Sequence, residues 1–455
     1  MRRAVLITTF GSLGDINPYV ALASELQERG YLPIIATSGF YRDMVKKAGI
    51  DFSPVRPDVN PEDYSLIERL FHPKHGLEIL IREVLLPQLR ESYQDLLEAT
   101  SGADILITHP MTFAGPIVAE KTKIPWVSTI LAPLSLFSAY DLPVFPLFPF
   151  LKNLERFGPL AGGMLIRFAK LVTRNWSEPI RRLRAEIGLP PGGDPIYEGQ
   201  FSPESVLGLF SPLLTKHDVD RPQNTRITGF LFYDKEADQP ADKSGTDPDA
   251  PGRLERFLES GPPPVVFTLG SSTVLAAGDF YRESVNAART LGIRAVLLVG
   301  GDPRNIPAEP LPDDIALFRY LPYSQIFPRA AAIVHQGGIG TTAQALQAGK
   351  PMLVVPFAFD QPDNAYRVTR LGVARTIFRH RYSARCAATE LETLLSNTTC
   401  LRRAEQVGKI VRAEKGAAAA CDAIEMQLRR LRNAFDQSAA VEGGATTIAG
   451  DLISG

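Results

Sequence analysis

The sequence predicts an α/β protein made of two parallel-sheet halves. Short β-branched runs alternate with amphipathic helical stretches along most of the chain, the pattern of α/β units. That rhythm stops at a polar, Pro/Gly-rich stretch, DKEADQPADKSGTDPDAPGRLERFLESGPPP, and then restarts. The length of 455 residues allows two to four domains at ~100–200 residues each. The expected division is a first half over 1–230, a linker region over 231–264, a second half over 265–432 and a loose tail over 433–455.

The first strand is Ala4–Thr8, where β-branched and aliphatic residues run unbroken. A glycine-rich loop over Thr9–Pro18 should follow, then a helix from Tyr19 to Arg29 with Gly30 at its C′ position. Leu32–Thr37, Ile105–Thr108 and Trp126–Ile130 read as further buried strands. From Leu131 to Phe150 the chain is rich in aromatics and prolines, and proline forbids a regular helix or a central strand there. A long apolar loop lines a ligand cleft, forms a membrane-facing rim or simply packs on the core. Pro264–Leu269, Arg294–Val299, Ile315–Phe318, Ala331–Val334 and Met352–Val355 are the strands expected in the second half. Helices are expected at Phe280–Leu291 and Gly340–Ala348, with a short turn at Tyr323–Phe327. An Ala-rich helix over Leu401–Arg432 should return to the first half.

Lys and Arg number 49 and Asp and Glu 50, a net charge of −1, which argues against a dedicated nucleic-acid binder. A composition of 45% hydrophobic and 22% charged residues excludes global disorder. Cys386, Cys400 and Cys421 match no zinc or CxxC spacing, so a reducing, cytoplasmic setting is expected. The apolar run Ala4–Ile7 is too short for a signal segment, and no run of 18 apolar residues suggests a membrane span. Basic residues Arg167, Lys170, Arg174, Arg181, Arg182 and Arg184 flank Trp176; they form a solvated helix face or, with the aromatic loop, a peripheral contact with an anionic membrane.

Two glycine-rich turns follow buried strands, where ligands bind in open α/β sheets. The first is Phe10-Gly11-Ser12-Leu13-Gly14-Asp15-Ile16-Asn17-Pro18 and the second His335-Gln336-Gly337-Gly338-Ile339-Gly340-Thr341-Thr342. In the second, Gly337, Gly338 and Gly340 let backbone approach an anion. Thr341 and Thr342 open a helix with free N–H groups and hydroxyls, and His335 adds a donor. It is neither a Walker A loop nor a GxGxxG turn. Beyond the strand Met352–Val355, Asp360 and Gln361 offer a carboxylate and an amide, suited to sugar hydroxyls; helix capping is the plainer role for Asp360.

These segments carry a resemblance to the family-1 glycosyltransferases, nucleotide-sugar enzymes of GT-B fold with two Rossmann-like domains facing across a cleft. It covers nearly the whole chain. GSLGDINPYVALASELQERGY resembles the N-terminal signature of the sterol-glucosyltransferase and antibiotic-glycosyltransferase branch. YLPYSQIFPRAAAIVHQGGIGTTAQALQAGKPMLVVPFAFDQPDNAYRVTRLGVA resembles the donor-binding signature, close in look to the rhamnosyltransferase of rhamnolipid synthesis. The resemblance implies that Tyr320 and Leu321 meet the nucleotide base, and that Ser271, His335, Gly338, Thr341 and Thr342 hold the diphosphate. It also implies that Asp360 and Gln361 hold the donor sugar. Gln344 stands where the family often has a ribose-binding glutamate, which leaves UDP and dTDP both open.

Asp15 stands where the resembling plant enzymes have a base histidine, and His109 where they have the aspartate that orients it. The expected reaction is an inverting, metal-independent transfer of a hexose from a UDP- or dTDP-sugar to a hydroxyl of a lipophilic acceptor. Asp15 is the general base in that scheme, and helix capping is its plainer alternative. His109 would hold Asp15 ionised or take the proton itself. No cofactor and no metal are expected beside the nucleotide sugar. An epimerase or hydrolase of the same fold would need more acid–base groups than the sequence offers, and a non-catalytic sugar-nucleotide binder would tolerate loss of Asp15.

Overall fold

The structure is a computed structural model that describes residues 3–60, 63–72, 74–145, 148–216, 219–233 and 249–430. Residues 234–248 of the expected linker and the expected tail lie outside the described residues. The strands form two sheets, every pairing of them parallel. The first holds β1 (Ala4–Thr8), β2 (Leu32–Thr37), β3 (Asp51–Pro54), β4 (Ile105–Thr108), β5 (Trp126–Ile130), β6 (Val206–Gly208) and β7 (Thr225–Ile227), in the order β3-β2-β1-β4-β5-β6-β7. The second holds β8 (Val265–Thr268), β9 (Ala295–Leu298), β10 (Ile315–Phe318), β11 (Ala332–His335), β12 (Met352–Val354) and β13 (Ala374–Thr376), in the order β10-β9-β8-β11-β12-β13.

The central strands are apolar on both faces because helices cover both, so Val5, Leu6 and Ile7 are all fully buried, as are Val266 and Phe267. Strand order reverses between β1 and β4 in one sheet and between β8 and β11 in the other. A crevice opens at each reversal, beyond the carboxyl ends of the strands. The loops leaving Thr8, Thr108, Thr268 and His335 therefore supply the candidate site.

Three local readings of the sequence need correction. Helix α1 spans Leu13–Glu28, six residues earlier than expected, because Ser12 and Asp15 form a capping box ahead of Pro18. Pro18 has no N–H to give the Gly14 carbonyl, a loss offset by burial of Ile16, Tyr19 and Val20. The proline-rich loop is not wholly irregular: 3₁₀ turns occupy Pro133–Leu136 and Pro149–Phe157, and helix α2 (Pro159–Thr173) follows. The long terminal helix is broken. Helix α3 (Ile339–Ala348) and helix α4 (Gln361–Arg370) precede α5 (Thr398–Ala413), and the helix resumes over 416–430 after Glu414 and Lys415. At the break, Glu414 accepts from Ser211 Oγ at 2.5 Å and from the Phe230 N–H at 3.4 Å. Gly416 lies against the Phe230 carbonyl, where a Cβ would collide. Residues 416–430 then pack on the first sheet's helices, with Cys421, Ile424 and Leu428 in one cluster with Leu22 and Leu26. Arg29 reaches Asp422 at 2.6 Å.

The two halves are joined by a buried charge network. Arg367 of α4 is 1% exposed; it donates to Asp363 at 2.6 Å, to Asp141 at 2.5 Å and to the Leu214 carbonyl at 2.7 Å. The other oxygen of Asp363 accepts from the Val144 N–H at 2.9 Å. Asp141 also meets Lys152 at 3.2 Å and Arg370 at 3.4 Å. Burial alone would raise the Asp141 pKa, but Arg367, Lys152 and Arg370 together hold it down at about 2. The loop is thus fastened through Asp141 and Val144 to the helix that follows Asp360. Replacing Arg367 by Met leaves two buried carboxylates short of their main partner. It is expected to cost ~3–5 kcal/mol of stability, measured by urea unfolding, and an unchanged midpoint would show that the network does not hold the halves together.

Candidate active site

The first-sheet side is built around Asp15, the third residue of α1. Its Oδ2 accepts from the Ser12 N–H at 2.8 Å and from Ser12 Oγ at 3.3 Å. Gly11 is forced by this arrangement: its φ is +139°, and a Cβ there would overlap the Asp15 carboxylate. The second oxygen, Oδ1, lies 3.6 Å from His109 Nε2, and the Asp15 side chain remains about one-third exposed, at 34%. His109 directly follows β4. Its Nδ1 accepts from the Met111 N–H at 3.2 Å, which puts the proton of the neutral ring on Nε2, facing Asp15. The buried Tyr19 packs its ring edge-on against His109, with centroids 5.9 Å apart, and its hydroxyl is paired with Thr129 at 2.5 Å. Cap and carboxylate facing the cleft are therefore one residue using two oxygens.

The second-sheet side is built around the turn after β11. His335 is fully buried, and burial pushes its pKa down to about 3, so the ring is neutral. Its Nδ1 accepts from the Gly337 N–H at 3.1 Å, leaving Nε2 as the donor, and Nε2 has no partner. Gly337 has φ +88° and sits where a Cβ would strike Val354. Gly338 is the N-cap of α3, and the Thr342 hydroxyl and Gln336 Oε1 are buried without partners. Thr341 Oγ1 accepts from Gln336 Nε2 at 3.3 Å. Of these unpartnered atoms, the His335 Nε2–H and the Thr342 hydroxyl are donors at a helix N-terminus and suit a bound anion, whereas Gln336 Oε1 can only accept.

Asp360 is the N-cap of α4 by position, but its side chain makes no capping bond. Instead Oδ2 accepts from Asn364 Nδ2 at 2.7 Å. Burial first, and then the charge of Asp15, push its pKa up to about 7. Gln361 is committed to the turn: its Oε1 accepts from the N–H groups of Phe357 at 2.8 Å and Ala358 at 3.1 Å, and its Nε2 donates to Thr273 at 3.0 Å. Ser271 is exposed beyond β8, and Gln344 is half-buried on α3. Tyr320 is about half-exposed beyond β10, whereas the Leu321 side chain is in the core.

The two sides meet. A Cβ on Gly340, at the start of α3, would lie 3.6 Å from Gly14 Cα, at the start of α1. Asp15, His109, His335, Gly340, Thr342 and Asp360 therefore gather at one crevice between two helix N-termini, while Tyr320 and Ser271 flank it along the second sheet. Asn364 is not conspicuous in the sequence, although it braces both Asp360 and, at 2.9 Å, the Gly337 carbonyl. Its spacing four residues after Asp360 on a helix is the signal that identifies it. Among the described residues no cluster of three metal-ligating side chains occurs, and no helix is long and apolar enough to cross a membrane.

Residues 5–138 match the glycosyltransferase family 28 N-terminal domain, and residues 298–424 match the erythromycin biosynthesis protein CIII-like C-terminal domain. The chain is 31% identical over 438 residues to an O-mycaminosyltylonolide 6-deoxyallosyltransferase of Streptomyces fradiae, across 93% of this chain and 97% of that one. It is 27% identical to a sterol 3-beta-glucosyltransferase of Leptosphaeria maculans, across 96% of this chain but only 30% of the fungal protein. The chain spans less than a third of that fungal relative's length. Among solved structures, the spinosyn forosaminyltransferase SpnP superposes with a TM-score of 0.68 at 16% identity, over 94% of this chain and all of that one. The glycosyltransferase VinC in complex with dTDP gives 0.66 at 20%, with the same coverage. At those identities the likeness is one of fold. The near full-length relative and the two domain matches, one on each sheet, carry the conclusion that this chain is a glycosyltransferase and belongs to the family-1 enzymes of GT-B fold.

Proposed function

We propose that this enzyme moves a hexose from a UDP- or dTDP-sugar to a hydroxyl of a lipophilic acceptor, with inversion, without metal, and with Asp15 as general base. The observation that carries the reading is the division of the Asp15 carboxylate: one oxygen held by Ser12, the other left toward the cleft beside His109. The acceptor oxygen attacks the anomeric carbon as the bond to the diphosphate breaks, and its proton passes to Asp15 Oδ1. Direct displacement by a base-activated hydroxyl inverts the centre. His109 is a positioning residue here, since its Nε2–H points at Asp15 and is not free to accept a proton.

The leaving diphosphate is met by the N-terminus of α3, by the unpartnered His335 Nε2–H and by the Thr342 hydroxyl, a set of neutral donors that stabilises developing charge. Asp360, braced by Asn364, accepts from the sugar hydroxyls. Gln361 shapes the turn that carries them, with its carbonyl already doubly bonded. The Tyr320 ring offers a face for the base. The names of the relatives support the substrate classes: a 6-deoxyallosyl transfer to a tylonolide glycoside in one, glucosyl transfer to sterols in the other. Two solved neighbours, VinC and the spinosyn rhamnosyltransferase SpnG, hold dTDP, which supports a nucleoside diphosphate in this crevice.

Asp15→Asn keeps the cap and removes the base. Turnover is expected to fall ~10²–10⁴-fold with donor affinity and melting temperature nearly unchanged, in an assay whose wild-type rate EDTA leaves intact. Near-normal turnover would reduce Asp15 to a cap, and loss on adding EDTA would refute metal independence. His335→Ala should weaken UDP or dTDP binding in calorimetry by about tenfold, the worth of ~1.4 kcal/mol for a hydrogen bond to a charged group; unchanged affinity would remove His335 from the diphosphate site. Asp360 gives a pH test. Its folded pKa lies above that of a free carboxylate, so the stability it contributes is present below about pH 4 and is lost as pH rises through 7. The melting temperature of the unliganded enzyme should therefore fall relative to Asp360→Asn between those pH values, and parallel curves would show that Asp360 is not desolvated.

A further inference from the structure

Helix α2 carries an apolar stripe that the fold leaves uncovered. Leu160, Met164, Phe168, Leu171 and Val172 are 59–83% exposed, and their spacing places them on one arc of ~120°. The opposite face is buried: Gly162 lies against the Ala139 carbonyl, and Ile166 packs with Leu142 and Tyr197. Exposed Phe148, Phe150 and Phe157 extend the apolar surface into the segment before the helix. So many large apolar side chains on one helix exceed the scattered exposure normal on a monomer's surface.

The charge beside this stripe is one-sided. Between residues 148 and 184 the sequence has eight basic residues and two acidic ones; Lys152 and Arg184 are buried against carboxylates, which leaves six for the surface. Arg167, Lys170 and Arg174 line one flank of the stripe at helical spacing; Arg167 and Arg174 are exposed, while Lys170 is paired with Glu198. On the next helix Arg181 and Arg182 share the single carboxylate of Glu178. An apolar face with a cationic border is complementary to an anionic lipid surface, where the rings enter the acyl boundary and the basic groups meet the headgroups. A second copy meeting through this same face brings the same cationic border and no counter-charge.

We propose that α2 and the Phe148–Phe157 segment dock the enzyme on an anionic bilayer. The docked face backs the loop 131–150, since α2 packs on Ala139 and Leu142 while Asp141 and Val144 of that loop bear on α4. Delivery of a lipophilic acceptor from the bilayer to the cleft rests on the functional reading above; the docking itself does not.

The test is co-sedimentation of the purified full chain with vesicles of phosphatidylcholine alone and with 30 mol% phosphatidylglycerol, a mixture set at about that anionic fraction to give a negative surface. Wild type should partition onto the anionic vesicles and release at high salt. Phe168→Ser/Leu171→Ser should lose partitioning on the order of a hundredfold, and Arg167→Gln/Arg174→Gln about fivefold per charge. Binding of UDP or dTDP by the same samples should be unchanged, which reports folding and keeps the donor reading separate. No sedimentation of wild type with anionic vesicles overturns the proposal, as does equal sedimentation of wild type and both variants. A wild-type dimer in light scattering that Phe168→Ser/Leu171→Ser splits, without vesicle binding, overturns it in favour of a second copy.

Discussion

The Arg367 guanidinium is the point on which the arrangement of the two halves turns. It is almost completely buried and faces two buried carboxylates, Asp363 from its own helix and Asp141 from the loop of the other half. Taking such charges out of water is expensive and is repaid only when every partner is in place. That all-or-none character gives Asp141 and Val144 one position relative to α4. Asp360 caps α4 and Gln361 opens it, so the loop of the first half and the carboxylate at the start of α4 are located by the same guanidinium.

The crevice has an electrostatic logic of its own. Two helices point their N-termini at it, and Gly14 and Gly340 are the residues whose lack of a side chain permits the approach. Helix N-termini carry partial positive charge, which favours an anion between them. Burial, with a smaller push from the charge of Asp15, drives Asp360 toward its neutral form. The unpartnered atoms of His335, Gln336, Thr342 and Asn364 belong to the same account. Each costs free energy while buried and unsatisfied, and an anionic, hydroxyl-rich ligand removes that cost. The crevice therefore holds unsatisfied donors and acceptors that a nucleotide sugar would satisfy.

The fold was legible because parallel strands buried on both faces write themselves as unbroken apolar runs: Ala4–Thr8 and Met352–Val354 need no context to be recognised. The turn after β11 stands out in the sequence for a related reason. Two consecutive glycines, Gly337 and Gly338, between a strand and a helix mark a place where backbone must come close to something else. What escaped was whatever depends on a partner distant in sequence. Arg367 reads as one more charged helix residue until Asp141, 226 positions away, is brought to it. The break at Glu414 is set by Ser211 and Phe230. Gln361 looks like a ligand group in sequence, yet its carbonyl is taken by the backbone N–H groups of Phe357 and Ala358 and one amide N–H by the Thr273 hydroxyl, contacts no spacing rule contains. Pro18 hides the true start of α1, because a proline marks a helix start only where no capping box stands ahead of it.

That capping box leaves room for the second role that the sequence suggests for Asp15. From sequence, Asp15 is either a helix cap or a base facing the cleft. A carboxylate has two oxygens, and the backbone turns at Gly11 so that one folds back over Ser12 while the other is left toward His109. The cap is what aims the second oxygen: the Ser12 N–H and hydroxyl fix the rotation of the carboxylate, and the His109 Nε2–H sits on its open side. A longer acid could not fold into the space above Gly11 and keep the same reach, and an aspartate without Gly11 would be displaced from it. The glycine, the serine and the aspartate therefore act as one unit, in which the bonds that start the helix also orient the carboxylate oxygen beside His109.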